Sequence, residues 1–254
     1  MTETVIEIKN LYTKFDDVVI HEELNLNIQR GQIVGLIGDS GAGKSTLLRE
    51  ILLLEKPTAG TIKVLGKEIV NLSDQQCLWL RRCCGMMFQH GALFTSLTLG
   101  ENIAVPLCEH TQLSRRIIRE IVAFKIALVG LPMSAKDKYP AQLSGGMIKR
   151  AAVARALALD PEILFLDEPT AGLDPIKAGA FDELIVRLKN SLGLTVIIVT
   201  HDVDLLWKVT DSVAMLDDKR VFATAPIREI IQLEHPWLQK YFQGPRGRAA
   251  QHLD

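Results

Sequence analysis

The sequence predicts an α/β domain organised around a phosphate-binding loop, and three observations carry that prediction. The run GDSGAGKST at residues 38–46 sits between an apolar stretch, 33–37, and the periodic apolar positions Leu47, Leu48, Ile51 and Leu52. A second apolar run, 163–166, ends in Asp167, Glu168 and Pro169. A third, 195–200, ends in His201 and Asp202. Polar residues closing buried strands of an α/β sheet face the ligand crevice at the carboxyl ends of those strands.

Strand, glycine loop and helix form the context in which G-x-x-x-x-G-K-[ST] binds phosphate. Gly38, Gly41 and Gly43 let the backbone turn its amides inward around an anion, with Asp39, Ser40, Ala42 and Thr46 completing the loop. The helix that begins beside Lys44 contributes its positive end and unpaired amides. Lys44 is placed to reach the β- and γ-phosphates, and the Ser45 hydroxyl to take one Mg²⁺ position. The chain is expected to bind a nucleoside triphosphate.

At 254 residues the chain has room for one large α/β domain or two small ones with a sizeable core. Its 48% hydrophobic and 23% charged residues are ordinary for a globular protein. A net charge of −1 provides no basic field, so nucleic acid is not an expected partner. The four cysteines, Cys77, Cys83, Cys84 and Cys108, form no C-x-x-C pair or zinc spacing, and read as reduced thiols of a cytosolic protein. The opening MTETVIEIKN lacks the basic and apolar regions of a signal peptide. No apolar run approaches the roughly 20 residues of a membrane-spanning helix. Work at a membrane would therefore require another subunit to do the spanning.

Along the chain, 5–11 and 18–28 alternate apolar and polar residues and read as antiparallel strands. Tyr12 and Phe15 lie between them, placed to form an aromatic surface for an adenine ring, with core filling the alternative for Tyr12. A helix at 43–54 is followed by a hairpin with Gly66-Lys67 at its tip. Ser73 and Gln76 resemble a capping box that opens a helix toward Arg82. A short buried strand, 85–88, ends on Gln89, which points into the crevice to contact Mg²⁺ or the attacking water. Residues 92–129 are mostly helical in pattern, a small insertion whose Arg115, Arg116 and Arg119 read as a solvated face.

Ser144, Gly145 and Gly146 precede a strong helix pattern at 147–159, and a free helix start with small residues makes a second anion site. One phosphate loop and a second, separate anion site suggest that two chains share each nucleotide. Taken alone, the run reads first as a simple serine N-cap with flexible glycines. Asp167 is placed to hold Mg²⁺, and Glu168, one residue on, to orient or deprotonate the attacking water. Asp174 lies in a turn before a helix that starts at Pro175 and runs to about 191. His201 sits over the same crevice, within reach of a γ-phosphate. An edge hairpin turning at Asp218-Lys219, two short helices at 226–233 and 236–242, and a polar, basic, mobile tail complete the reading.

The phosphate loop, Gln89, LSGGM, FLDEP, LDP and TH-D occur in this order across nearly the whole chain. That order resembles the nucleotide-binding subunits of ATP-binding cassette (ABC) transporters. The resemblance implies a phosphate-loop ATPase core with a mixed sheet and an antiparallel β-subdomain (about 1–90 and 160–225). It adds a helical subdomain at about 91–159, and a C-terminal helix and tail at about 226–254. It implies ATP and Mg²⁺ as cofactors, with Lys44, Ser45 and the loop glycines on phosphate and metal, Asp167 serving the metal and Glu168 the catalytic base. Gln89 would couple metal and water to a transmembrane partner, His201 would contact the γ-phosphate, and Phe15 would stack on adenine. Ser144, Gly145 and Gly146 would engage the ATP of a second copy, with Asp174 bridging the homodimer.

The signature commonly reads LSGGQ, and Met147 here replaces the glutamine without removing the serine or the amides. LSGGM, FQHGALFTSLTLGENIAVPL and the EHT at 109–111 resemble the Mla-type subgroup, which powers phospholipid transport between bacterial inner and outer membranes. The subgroup implies a permease pair, an MCE-domain lipid-binding protein and a small STAS-domain subunit, and the apolar segment around 93–97 is the expected place of the permease contact. The subgroup also implies a place on the cytoplasmic face of the inner membrane. The rivals are a transporter ATPase for another solute, a soluble ABC protein, and a nucleotide sensor without turnover. The intact Lys44, Asp167, Glu168 and His201 argue against the last.

Overall fold

The computed structural model describes residues 3–243; the tail expected to be mobile lies outside the described residues. The two alternating stretches form β1 (Thr4–Phe15) and β2 (Val18–Gln29), paired antiparallel. β1 runs on through Tyr12 to Phe15, so both aromatics belong to the strand. β4 (Ala59–Val64) pairs with the other side of β1, and β5 (Lys67–Glu68) closes the hairpin on it. The resulting four-stranded sheet has the order β2-β1-β4-β5.

The second sheet has six strands in the order β10-β9-β3-β8-β7-β6. Its centre is β3 (Ile33–Gly38), β8 (Thr195–Val199) and β7 (Ile163–Asp167), flanked by β6 (Cys84–Met87) and β9 (Ser212–Asp217). These five run parallel, and β10 (Arg220–Ala225) adds an antiparallel edge. All six residues of β3 and all five of β8 are buried, as unbroken apolar strands must be when both sheet faces are covered.

The faces are covered by different layers. Leu164 and Leu166 of β7 enter one core with α3 (Leu99–His110), α4 (Arg115–Leu128), α5 (Gly145–Ala156) and α6 (Pro175–Leu192). Ile163 and Phe165 enter the other, with α1 (Lys44–Ile51), α2 (Asp74–Cys83) and the antiparallel sheet. A third cluster packs α7 (Val203–Val209), α8 (Ile227–Ile230) and α9 (Pro236–Gln243) on Ile37, Val213 and Met215. Among the described residues no helix is long and apolar enough to cross a membrane.

Helix ends follow local chemistry. Ser73 and Gln76 form the expected box, and Thr98 with Glu101 forms another, in which the Thr98 amide donates to the Glu101 carboxylate at 2.7 Å. α1 stops at Ile51, three residues short of the apolar periodicity, and Leu53 takes a left-handed φ of 54°. α5 starts at Gly145, two residues earlier than the pattern suggested, because Ser144 caps it and accepts from the Met147 amide at 3.4 Å. Buried Asn102 pins the segment before α3. Its amide donates to the carbonyls of Phe94, Leu97 and Thr98, and its oxygen accepts from the Phe94 N–H at 2.8 Å.

Asp182 on α6 is only 6% exposed, and its Oδ1 has no hydrogen-bond partner. Burial, reinforced by the charge of Asp202 and opposed by Lys208, pushes its carboxyl up from 3.8 to about 7. The folded chain thus holds this proton more tightly than the unfolded chain does. The stability so contributed is full below the ordinary value of 3.8 and is lost as pH rises through about 7. Asp182→Asn should raise the melting temperature at pH 8 by about 2–4 °C, the effect of about 1 kcal/mol in a chain of this size. It should leave acid stability unchanged. Equal melting temperatures of variant and parent at pH 8, measured by calorimetry, would contradict this.

Candidate functional site

β3, β8, β7 and β6 are consecutive neighbours running in one direction, so their carboxyl ends emerge along one edge. From β3 comes the phosphate loop, from β6 Gln89, from β7 Asp167 and Glu168, and beyond β8 His201. A cavity of about 630 Å³ lies there. Ser40, Gly41, Gly43, Lys44, Ser45 and Thr46 line it from the loop, and Gln89, Asp167, Glu168 and His201 from the strand ends. Ile20 and Val199 supply apolar wall that no motif indicated. A second cavity, about 310 Å³ among the turn after α1, α2, β6, α3 and α5, is lined by Leu80, Arg81, Pro106 and Arg155 and by none of the expected site residues.

The loop is tightly held. A Cβ on Gly43 (φ 92°) would stand 2.5 Å from His21 Nε2, and one on Gly38 would stand 2.3 Å from the Leu216 carbonyl oxygen. Buried Lys44 donates through Nζ to the carbonyls of Gly38 and Asp39, each at 2.8 Å. α1 begins directly at Lys44, so the unpaired amides of its first turn face the loop interior. Ser45, Gln89 and Asp167 offer hydroxyl, amide and carboxylate oxygens on the same cavity, the hard donors that suit Mg²⁺ beside phosphate.

Glu168 adopts a left-handed φ of 46°, a conformation a non-glycine residue holds only where its surroundings impose it. Its amide donates to the Val199 carbonyl at 2.8 Å, which ties the turn after β7 to the end of β8. His201 Nε2 lies 3.6 Å from Glu168 Oε1. Burial pushes the Glu168 carboxyl up, and neighbouring Asp167 and Asp202 add to this. The His201 main-chain N–H and Lys44 pull the other way. Burial also raises Asp167, offset by Arg49, Lys149 and Lys44. Burial lowers Lys44, against the attraction of Glu168, Asp39 and Asp167, and lowers His201, with Lys44 adding to the effect.

Lys149 was not indicated by any motif. It is buried on α5 and donates to the Gln89 carbonyl and, at 3.0 Å, to the Glu168 carbonyl. One ammonium thus joins the helix begun by Ser144 to the ends of β6 and β7. The remaining expected residues stand apart from the cavity lining. Phe15 is 42% exposed at the end of β1, and Ser144 and Gly145 are exposed at the start of α5. Exposed Asp174 caps α6, accepting from the Lys177 amide at 3.0 Å. Gly146 is half-buried, and Gly38, Asp39 and Ala42 shape the loop from outside the lining.

A carboxylate with a raised pKa, beside a lysine-bearing anion loop, is equipped to take a proton from water attacking a phosphate. The base works only when ionised, so nucleotide hydrolysis should fall on the acid side above the ordinary ~4.3 of a glutamate. Glu168→Gln should remove that limb and about 10²–10⁴-fold of turnover while nucleotide still binds. A steady-state pH profile with unchanged turnover in Glu168→Gln would contradict the assignment.

Residues 21–171 match the ABC transporter family. The chain is 41% identical to the intermembrane phospholipid transport system ATP-binding protein MlaF of Haemophilus influenzae, over 96% of this chain and 92% of that protein. It is 43% identical to the methionine import ATP-binding protein MetN of the same species, over 82% of this chain and 60% of that one. The dimeric ATP-binding cassette MJ0796, solved in a post-hydrolysis state bound to ADP and Pi, superposes with a TM-score of 0.80. It is 32% identical and covers 88% of this chain and 99% of its own. The chain therefore belongs to the ABC transporter family, and it is the ATP-hydrolysing cassette subunit of a transporter.

Proposed function

We propose that this cassette drives phospholipid transport between the inner and outer membranes of a bacterium. The carrying observation is coverage: likeness to MlaF spans 96% of this chain and 92% of that protein, whereas two MetN proteins are matched over 60% and 71% of their lengths. LSGGM and the segment after Gln89 point the same way. The partners are a second copy of this chain, permease subunits, an MCE-domain lipid-binding protein and a small STAS-domain subunit, on the cytoplasmic face of the inner membrane. Phe94, 51% exposed in the segment pinned by Asn102, supplies the permease contact.

In this reading the amides of residues 41–46 and Lys44 receive the β- and γ-phosphates. Ser45, Gln89 and Asp167 hold Mg²⁺, which when bound offsets charge on the phosphate oxygens. Glu168 deprotonates water, and His201 steadies the γ-phosphate. Phe15 stacks on adenine. Ser144, Gly145 and Gly146 of each copy close on the nucleotide of the other, with Asp174 at the junction. Each nucleotide then makes contacts in the closed pair that it lacks in the open one, and those differential contacts are what shift the equilibrium.

The 43% identity with MetN favours a second reading, a small-solute importer ATPase. Affinity purification of the Glu168→Gln chain with ATP from detergent-solubilised membranes separates the two. A permease and an MCE-domain protein with co-eluting phospholipid are expected, identified by mass spectrometry. A permease that elutes with a solute-binding protein and no lipid would overturn the phospholipid reading and leave the ATPase in place.

A further inference from the structure

Beneath the phosphate loop lies a buried polar trio that ATP hydrolysis does not use. Thr13 on β1, His21 on β2 and Glu50 on α1 are each 0% exposed. Thr13 and His21 face each other across the β1/β2 ladder. The Thr13 hydroxyl donates to Glu50 Oε1. His21 Nδ1 lies 3.1 Å from Glu50 Oε2, a close polar contact without hydrogen-bond alignment, and neither atom has another partner. The opposite ring nitrogen, Nε2, lies 3.2 Å from the Gly43 carbonyl oxygen. That contact with the loop main chain is the trio's connection to the nucleotide site.

A buried polar pair is a poor stabiliser, since apolar residues of similar volume often do as well or better. The placement of this one suggests a different job. The Gly43 oxygen also accepts from the Leu47 amide at 2.8 Å, the first bond of α1, so both of its acceptor directions are occupied. The peptide between Gly43 and Lys44 is planar and trans, so fixing its oxygen turns the Lys44 N–H the opposite way, toward the anion site. The imidazole also fills the space where a Cβ of residue 43 would stand, which leaves the loop no room to settle differently.

We propose that His21, held by Glu50 and Thr13, is a positioning residue for the phosphate loop: its Nε2–H fixes the Gly43 carbonyl and so aims the Lys44 amide at the bound phosphates. The inference rests on ATP binding at this loop and concerns ground-state affinity. It therefore separates from any role in the hydrolytic step.

The test measures the dissociation constant for Mg-ATP by calorimetric titration of the purified full chain, beside the melting temperature without nucleotide. H21L/E50L replaces the pair with apolar residues of similar bulk and leaves no buried charge behind. Its melting temperature should match or exceed the parent's. Its affinity for ATP should weaken about tenfold, the scale of one hydrogen bond. H21Q keeps a donor near the Nε2 position and should stay within about threefold of the parent. Saturated turnover should change less than affinity in both variants. An unchanged affinity in H21L/E50L overturns the proposal, as does a loss in H21Q equal to that in H21L/E50L. A melting temperature that falls in step with affinity assigns the trio to stability and overturns it as well.

Discussion

Confinement of the phosphate loop is the constraint on which the rest depends. The loop is held from three directions at once. The Leu216 carbonyl blocks any side chain at Gly38, His21 blocks any at Gly43, and Lys44 ties back to the carbonyls of Gly38 and Asp39. Leu216 belongs to β9, His21 to the antiparallel sheet and Lys44 to α1. Three elements far apart in the sequence must therefore come together before the amides can converge. A preorganised set of donors spends nothing on reorienting when charge arrives, which is the property that makes such a loop effective.

Around that loop, neighbouring parallel strands deliver charges that each would avoid alone. Asp167 and Glu168 are half-buried side by side and both are pushed up, while Lys44 and Lys149 nearby are pushed down. Each group is partly compensated by the opposite set, and none is fully relaxed. Perturbed groups gathered in one cleft are what a catalytic site looks like electrostatically. The left-handed turn at Glu168 fits the same picture. It takes Glu168 out of the strand alternation of β7, and both consecutive acids line the same cavity.

Much of this was legible in the sequence because the signals are local. Apolar runs of strand length closed by glycine, by two acids and by histidine announce both the sheet and its ligand edge. Serine, threonine and aspartate caps announce the helices that follow. What escaped depends on partners distant in the chain. Lys149 looks like one more charge on a helix, yet it is paired with a main-chain carbonyl 60 residues away. Glu50 sits among Leu47, Leu48 and Ile51 and would be assigned to solvent, but a histidine on a different sheet accounts for its burial. The sites of α1 termination and α5 initiation differ from the periodic pattern because a turn at Leu53 and a cap at Ser144 outweigh apolar spacing.

Exposed Ser144 and Gly145 at the start of α5 and the exposed Phe15 remain apart from the cavity within one chain, and under the proposed function a second copy would meet the former. The most direct measurement is the structure of the Glu168→Gln chain crystallised with Mg-ATP. Each nucleotide is expected between Lys44 of one copy and Ser144 to Gly146 of the other, with the Lys44 amide on phosphate. Nucleotide contacted by one copy alone, with the α5 starts facing solvent or an unrelated surface, would contradict it.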